Sequence, residues 1–580
     1  MSYTLSGLRL HRGALAALLL FLCLAVATLV SKGVLIERFF HDIYVPIDTM
    51  WRAASGQIPH LDYPTPIGQA YAWPFRLLAS LGDVSALTVL HANLLMAGSF
   101  LGLSLIALLP RLSPLHFFLA AAAVTAMAMA PRDYDHFWYI YSHLASYNRW
   151  GSAAAALLAM IVLLPRMRGP KLAGTVTDGV VIGLLWALLF YLKVSFFAGA
   201  LGIMVLGLVM GQLQLRTAGV ALAVTALAVA AVELAYGNNG AYLADLAMAA
   251  AVNGEGAIAR LMSLDLAQNA VVAAVFLVGG VLMVRALSGQ GKLKPMVIGY
   301  RKELFLFVAL IGAAIIIHSQ NNYSREVPLL AVAMIILSEL ARRRIDEADG
   351  TREAAGSAAR RTRTGLALLL VLGGTSTLLD STSVVTHSAS THGSDAMQLP
   401  VLANTPGEPL MVSRQLMENF PPYRPELMPP GGEAFLPTGI FQRRARWQAH
   451  TALEVRSLTE AMELLRAQVR PGDVIFSVDF ANPFPAFFRL PPPRGSLPWW
   501  HRWRSYSPAS HPDLDRLFSS TTLVAQKRID FYSGLFGAEL WPLIEGKVRS
   551  LHAPVAEGSI WTVWRRNDTA AAGPSAAVAN

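Results

Sequence analysis

The chain has 580 residues, 54% of them hydrophobic and only 14% charged, with a formal net charge of +10. Soluble domains carry roughly 25% charged residues, so this composition excludes a soluble enzyme, a fibrous protein and a largely disordered one. With a mean hydropathy of +0.45, it indicates an integral membrane protein. The single cysteine, Cys23, rules out an internal disulfide and leaves no cysteine-based metal site. Most basic residues fall between apolar runs, so the positive balance reads as a topology signal and not as a nucleic-acid surface.

A membrane-crossing helix needs about 20 mainly apolar residues. In chain order such runs occupy 13–31, 85–109, 115–130, 152–165, 176–192, 194–213, 217–235, 267–285, 304–318, 328–341 and 365–384. The first follows Arg9, His11 and Arg12 and contains Ala25-Val26-Ala27, a cleavage-like sequence. Its apolar run is longer than most signal cores, so it reads as an uncleaved anchor. The expected fold is a polytopic α-helical membrane protein of about 11 spans with an extracytoplasmic α/β domain at its C-terminus.

Alternate connections hold Arg9/Arg12, Arg111, Arg166/Arg168/Lys171, Arg216 and Lys292/Lys294/Arg301/Lys302. The last of the series holds Arg342–Arg344 and Arg360/Arg361/Arg363. Positive charge marks that face as cytoplasmic, as in a multi-pass protein of a bacterial-type inner membrane with a cytoplasmic N-terminus. The opposite connections are 32–84, 131–151, the bend at Lys193, 236–266 and 318–327, followed by everything after about 385; they are richer in aromatics, prolines and acids. Residues 1–385 thus read as the transmembrane domain, 386–566 as the extracytoplasmic domain and 567–580 as a disordered tail.

Within 386–566 the stretch 385–450 looks loop-like. Ser457–Val469 predicts a helix, opened by the capping box Ser457-Leu458-Thr459-Glu460 and closed by Pro471-Gly472. Strands are expected at Asp473–Phe480, Thr521–Ala525 and Ser559–Trp564. Asn238-Asn239-Gly240 reads as a turn, and Ala241–Val252 and Ala257–Leu266 as interfacial helices. No internal repeat stands out.

The most informative segment is the first outer loop, 32–84, with Asp42, Asp48 and Asp62 set among aromatics, prolines and glycines. A carboxylate just outside a span must be solvated, paired or used, and desolvation there makes it a better base. The plainer alternative is that these acids only solvate the loop. Three outer cations could stabilise a leaving phosphate: Lys193 at a tight bend, Arg149 in Tyr147-Asn148-Arg149-Trp150, and Arg325. Each could instead anchor the chain at the membrane surface. Arg132, Asp133, Asp135 and His136 form a further polar group that reads as a loop packing on the first. Trp499, Trp500, Trp503 and Tyr506, interleaved with His501, Arg502 and Arg504, could stack on sugar rings of an acceptor or dock the outer domain. His and Asp residues near 41–42 and 133–136 lack diagnostic metal-ligand spacing, so no metal is expected.

The run from Asp42 through Tyr44 and Trp51-Arg52-Ala53-Ala54 to Gly56-Gln57-Ile58-Pro59-His60, then Leu61-Asp62-Tyr63-Pro64-Thr65-Pro66-Ile67-Gly68, resembles the first extracytoplasmic loop of GT-C class glycosyltransferases. These polytopic enzymes use polyprenyl-phosphate sugars. The resemblance implies Asp42 as catalytic base with Asp48 as the alternative, and Asp62 as a second acid. It also implies a polyprenyl-phosphate-linked sugar as donor and an envelope glycan or lipid as acceptor, both met at the bilayer, with no soluble cofactor and no nucleic acid. The chain departs from the class in lacking an Asp-Asp or Glu-Asp pair, and Trp499-Trp500 is followed by His501 where oligosaccharyltransferases carry an acid. Two rival readings are a transporter or scaffold for envelope polysaccharide, which would place charges inside spans, and a ligase using lipid-diphosphate donors.

Overall fold

The computed structural model describes residues 12–132, 139–143, 145–167, 171–254, 328–348, 374–419, 442–529 and 537–567, together with Phe305 and Leu310. The runs expected at 267–285 and 304–318 lie essentially outside the described residues, as do Asp133, Asp135, His136, Arg325 and the tail after 567.

Among the described residues, four helices are long and apolar enough to cross a membrane: Arg12–Val30, Thr88–Leu108, Leu172–Leu192 and Leu215–Tyr236. Pro114–Met129, Val194–Val209 and Ala331–Leu340 are shorter apolar helices, and Ser146–Leu163 is buried along almost its whole length. The expected count of about 11 is therefore not reproduced among the described residues. Small side chains set how closely these helices pack. In Leu172–Leu192, a Cβ on Gly179 would meet Val220 and one on Gly183 the carbonyl of Ala221. Thr225 Oγ1 donates to Gly183 O (3.1 Å) across the same seam. Beside this seam, Asp178 gathers Arg111 and Arg166 from other connections, and within helix Pro328–Ala348 Glu339 gathers Arg342 and Arg343. Of the basic residues expected to mark topology, Arg111 and Arg166 are thus also ties between helices.

The loop 32–84, after the first apolar helix, is more ordered than its composition implied. It contains a short strand β1 (Val34–Leu35), a 3-10 turn over Phe40–Ile43 and helices Tyr44–Ala54 and Ala72–Ser80. β1 pairs in parallel with β3 (Leu410–Ser413), which pairs antiparallel with β2 (Ala396–Gln398). The end of the first span is thereby stitched to a segment nearly 400 residues away.

The C-terminal part forms a four-stranded sheet in the order β4 (Ile475–Val478), β5 (Leu523–Lys527), β7 (Trp561–Arg566), β6 (His552–Glu557), with β4 and β5 parallel and the rest antiparallel. Three expected strands are present; β6, with alternation broken by Pro554, carries no comparable signal. Two expectations are corrected. Among its described residues, the stretch 385–450 holds the end of a helix running to 391, two strands, a 3-10 turn, a short helix and the start of a long one. The helix expected from Ser457 starts at Gln442, so Ser457 is an interior residue whose hydroxyl accepts from Trp561 Nε1 (2.8 Å). Glu460 likewise does not close a capping box; it accepts from the backbone amides of Ile560 (2.7 Å) and Trp561 (2.9 Å), fixing the turn into β7.

Candidate active site

Asp42 sits on the 3-10 turn, whose preceding residue, Phe39, takes left-handed backbone angles (φ 52°). An aromatic residue there costs of order 1–3 kcal/mol. Arg38, stacked 4.1 Å from the Phe39 ring centroid, and the bond from Asp42 N to Phe39 O (2.9 Å) hold the turn. Asp42 is 7% exposed and lies 3.7 Å from His41 Nε2. His41 presents its ring edge to Phe480 of the C-terminal domain, centroids 4.9 Å apart. Burial, then the Lys527, His450 and His501 charges, push its pKa well below the usual imidazole range, so it stands beside Asp42 as a neutral ring.

The second wall is the start of helix Ser146–Leu163. Tyr71 of the first loop reaches Ser146 Oγ (3.2 Å) and meets Tyr147 edge-on, which fixes where the helix begins. Both Asp42 and Arg504 act electrostatically on the Tyr147 hydroxyl, whose pKa is raised chiefly by burial. Lys193 occupies the break between helices Lys171–Leu192 and Val194–Val209. Its Nζ donates to Asn148 Oδ1 (3.2 Å) and lies 5.3 Å from the Tyr147 ring centroid. Among the described residues no carboxylate lies within ion-pair distance of it. Burial and then the Arg504 charge lower its pKa to about 7. Trp499 stacks on the far side of this cluster against Tyr147, centroids 6.4 Å apart at 18°.

Asp48 and Asp62 each have partners within the chain. Asp48 is buried and accepts from Arg52 Nε (2.6 Å); burial raises its pKa to about 6 against the opposing pull of Arg52. Arg52 also donates to Gln57 Oε1 (3.0 Å) and Pro493 O (2.9 Å) and stacks 4.6 Å from the Tyr63 ring centroid. Asp62 caps Ile58 N (2.7 Å) and faces Arg494 at 3.6 Å. His60, left-handed at φ 72°, binds Asp245 Oδ2 (2.7 Å), which also accepts from Thr65 N (2.9 Å). Gly68 closes the motif: its amide donates to Leu192 O (3.1 Å), and a Cβ there would lie 2.0 Å from Tyr191 O. The motif therefore presses directly against the bend that carries Lys193.

Arg149 follows Asn148 on the same helix and lies near Asp380. Its Nη1 lies 3.9 Å from Asp380 Oδ1, which also accepts from Arg132 Nε (2.8 Å). Trp500 does not offer a face to a glycan. It is 1% exposed and packs on Phe476 and Tyr506 in the core of the C-terminal domain. Tyr147, Asn148 and Arg504 are the members of the cluster that residue chemistry alone did not single out. Among the described residues no group of three His, Cys, Asp or Glu side chains is placed to hold a metal ion.

No protein-family model matches the chain, and no curated protein matches it. Two solved structures do, along almost the full length of both partners: the crystal structures of ArnT from Cupriavidus metallidurans, bound to undecaprenyl phosphate and in the apo state. The first is 12% identical with a TM-score of 0.44 and the second 11% identical with a TM-score of 0.45; each alignment covers 96% of this chain and 99% of the other.

Proposed function

We propose that the protein is an inverting glycosyltransferase of the GT-C type, moving a hexosyl or pentosyl group from a polyprenyl-phosphate donor to an envelope glycan or lipid on the extracytoplasmic face of an inner membrane. The observation that carries this reading is that a buried carboxylate, Asp42 beside neutral His41, and a lysine resting on neutral partners, Lys193 on Asn148 and Tyr147, both come to bear on Tyr147. Proton removal and phosphate departure need those two charges on opposite sides of a sugar.

In this mechanism the acceptor hydroxyl oxygen attacks the anomeric carbon as its proton passes to Asp42. The bond from that carbon to the phosphate oxygen breaks on the opposite face, and the electron pair leaves with the lipid phosphate. The Lys193 ammonium neutralises the charge that develops there. Burial strengthens both effects, because charge interactions grow as water is excluded. The donor arrives already activated on a lipid, so no soluble nucleotide is required. Concentration of polar groups in outer loops and bends favours this over a transporter. The test is transfer of a labelled sugar from polyprenyl phosphate to membrane glycolipid by the purified full chain. Wild type should form product and Asp42→Asn should not; equal product from both would reject Asp42 as base.

A further inference from the structure

Arg504 belongs to a C-terminal turn that reaches the Lys193 corner of the helical part: Trp499, at the start of the turn, stacks on Tyr147 with centroids 6.4 Å apart, and the Tyr147 ring centroid lies 5.3 Å from Lys193 Nζ. The turn that carries Arg504 is tightly built. Trp500 N donates to Phe480 O (2.6 Å), His501 N to Ser505 Oγ (2.8 Å), Ser505 Oγ to Trp499 O (2.9 Å), Trp503 N to Tyr506 O (2.7 Å) and Arg504 N to His501 O (3.0 Å). Trp503 holds φ 62°, a left-handed angle that a bulky residue keeps only when its surroundings enforce it. Trp500 is locked in the domain core, while its neighbour Trp499 lies stacked on Tyr147. The stacked pair fixes the position of this turn relative to the Lys193 bend. Two cations from different parts of the chain are therefore brought to the neighbourhood of one tyrosine, which Asp42 also influences, in a half-buried setting where charges interact more strongly than in water. A bound anion would offset the repulsion between the two cations. Phosphate suits the pair, since a guanidinium offers a two-pronged set of donors and an ammonium a point charge.

We propose that Lys193 and Arg504 close from the two domains on a single phosphate ester, so that the C-terminal domain supplies part of the donor site. This rests on the glycosyl-transfer reading above and deepens it. Its consequence is that binding of the lipid phosphate clamps the outer domain to the membrane bundle. The neighbouring arginine, Arg502, serves as a control: it faces Glu539 at 3.5 Å and stacks on Trp503.

The test uses the full chain in lipid nanodiscs and measures binding of polyprenyl monophosphate across pH, with inorganic phosphate as a competing arm. Arg504→Gln should weaken lipid-phosphate binding about tenfold to hundredfold, the range for losing a charged hydrogen bond. Removing the Arg504 charge should also let Lys193 hold its proton longer, moving the pH midpoint of binding upward. Arg504→Lys should keep most of the affinity, which separates lost charge from lost folding, and Arg502→Gln should leave affinity and midpoint unchanged. Competition by inorganic phosphate that depends on Arg504 would assign the site to the bare phosphate group. Lack of competition alongside Arg504-dependent lipid binding would assign it to the lipid ester; both results uphold the pair. Wild-type binding matched by Arg504→Gln in affinity and pH profile would overturn this inference alone. Failure of the wild type to bind any polyprenyl phosphate would overturn the functional reading together with it.

Discussion

Two stretches of one loop carry acids that look alike in sequence and live differently in the fold. In 48–68, Asp48 and Asp62 are consumed by the chain itself, one holding Arg52 and the other capping Ile58. In 39–43, Asp42 is buried on a strained turn beside a neutral histidine, and its charge acts on a tyrosine that also lies against Lys193 and Trp499. The motif in 56–68 is best understood as a clasp. Gln57, with Arg52 just ahead of the motif, holds Pro492 and Pro493 of the C-terminal part, and Gly68 seats the Lys193 bend. A recognisable pattern and the proposed base are thus neighbours with separate tasks.

Substitutions can pull the two tasks apart. Arg52→Ala should have the largest effect on folding, because it leaves Asp48 buried without its partner. The expected loss is about 3–5 kcal/mol, read from denaturant unfolding; a loss near zero would show that water or another group satisfies Asp48. Acid–base behaviour should distinguish the other stretch. Lys193, with a pKa of about 7 in the empty protein, is charged below that value and neutral above it. Donor affinity should therefore fall by up to about tenfold per pH unit above 7, and Lys193→Gln should flatten the profile; a flat wild-type profile would remove Lys193 from donor binding. The smallest effect is expected for Asp62→Asn, a loss of about 1 kcal/mol from one weakened cap with transfer activity retained. A large activity loss at unchanged stability would move Asp62 from clasp to chemistry.

How much of this was legible without coordinates depended on the range of the interaction. Hydropathy and short-range periodicity placed the apolar helices, β4, β5 and β7, because those signals are local. The start of the helix at Gln442 was hidden because a capping box at Ser457 is locally persuasive, and only contact with Trp561 reveals its interior role. Arg149 looked available because its ion-pair neighbour, Asp380, is 231 residues away inside an apolar run. Trp499 and Trp500 are adjacent in sequence, yet a single turn sends one to the core and the other to the domain boundary. Arg504 was visible only as part of an aromatic and basic cluster, with nothing local to associate it with Lys193.

The central claim is that Asp42 is placed for chemistry and not for stability. Measuring transfer kinetics and the unfolding midpoint on Asp42→Asn tests it most directly. The account predicts a fall in kcat of about 10²–10⁴-fold with the midpoint unchanged; wild-type turnover, or lost turnover accompanied by a collapsed midpoint, would contradict it.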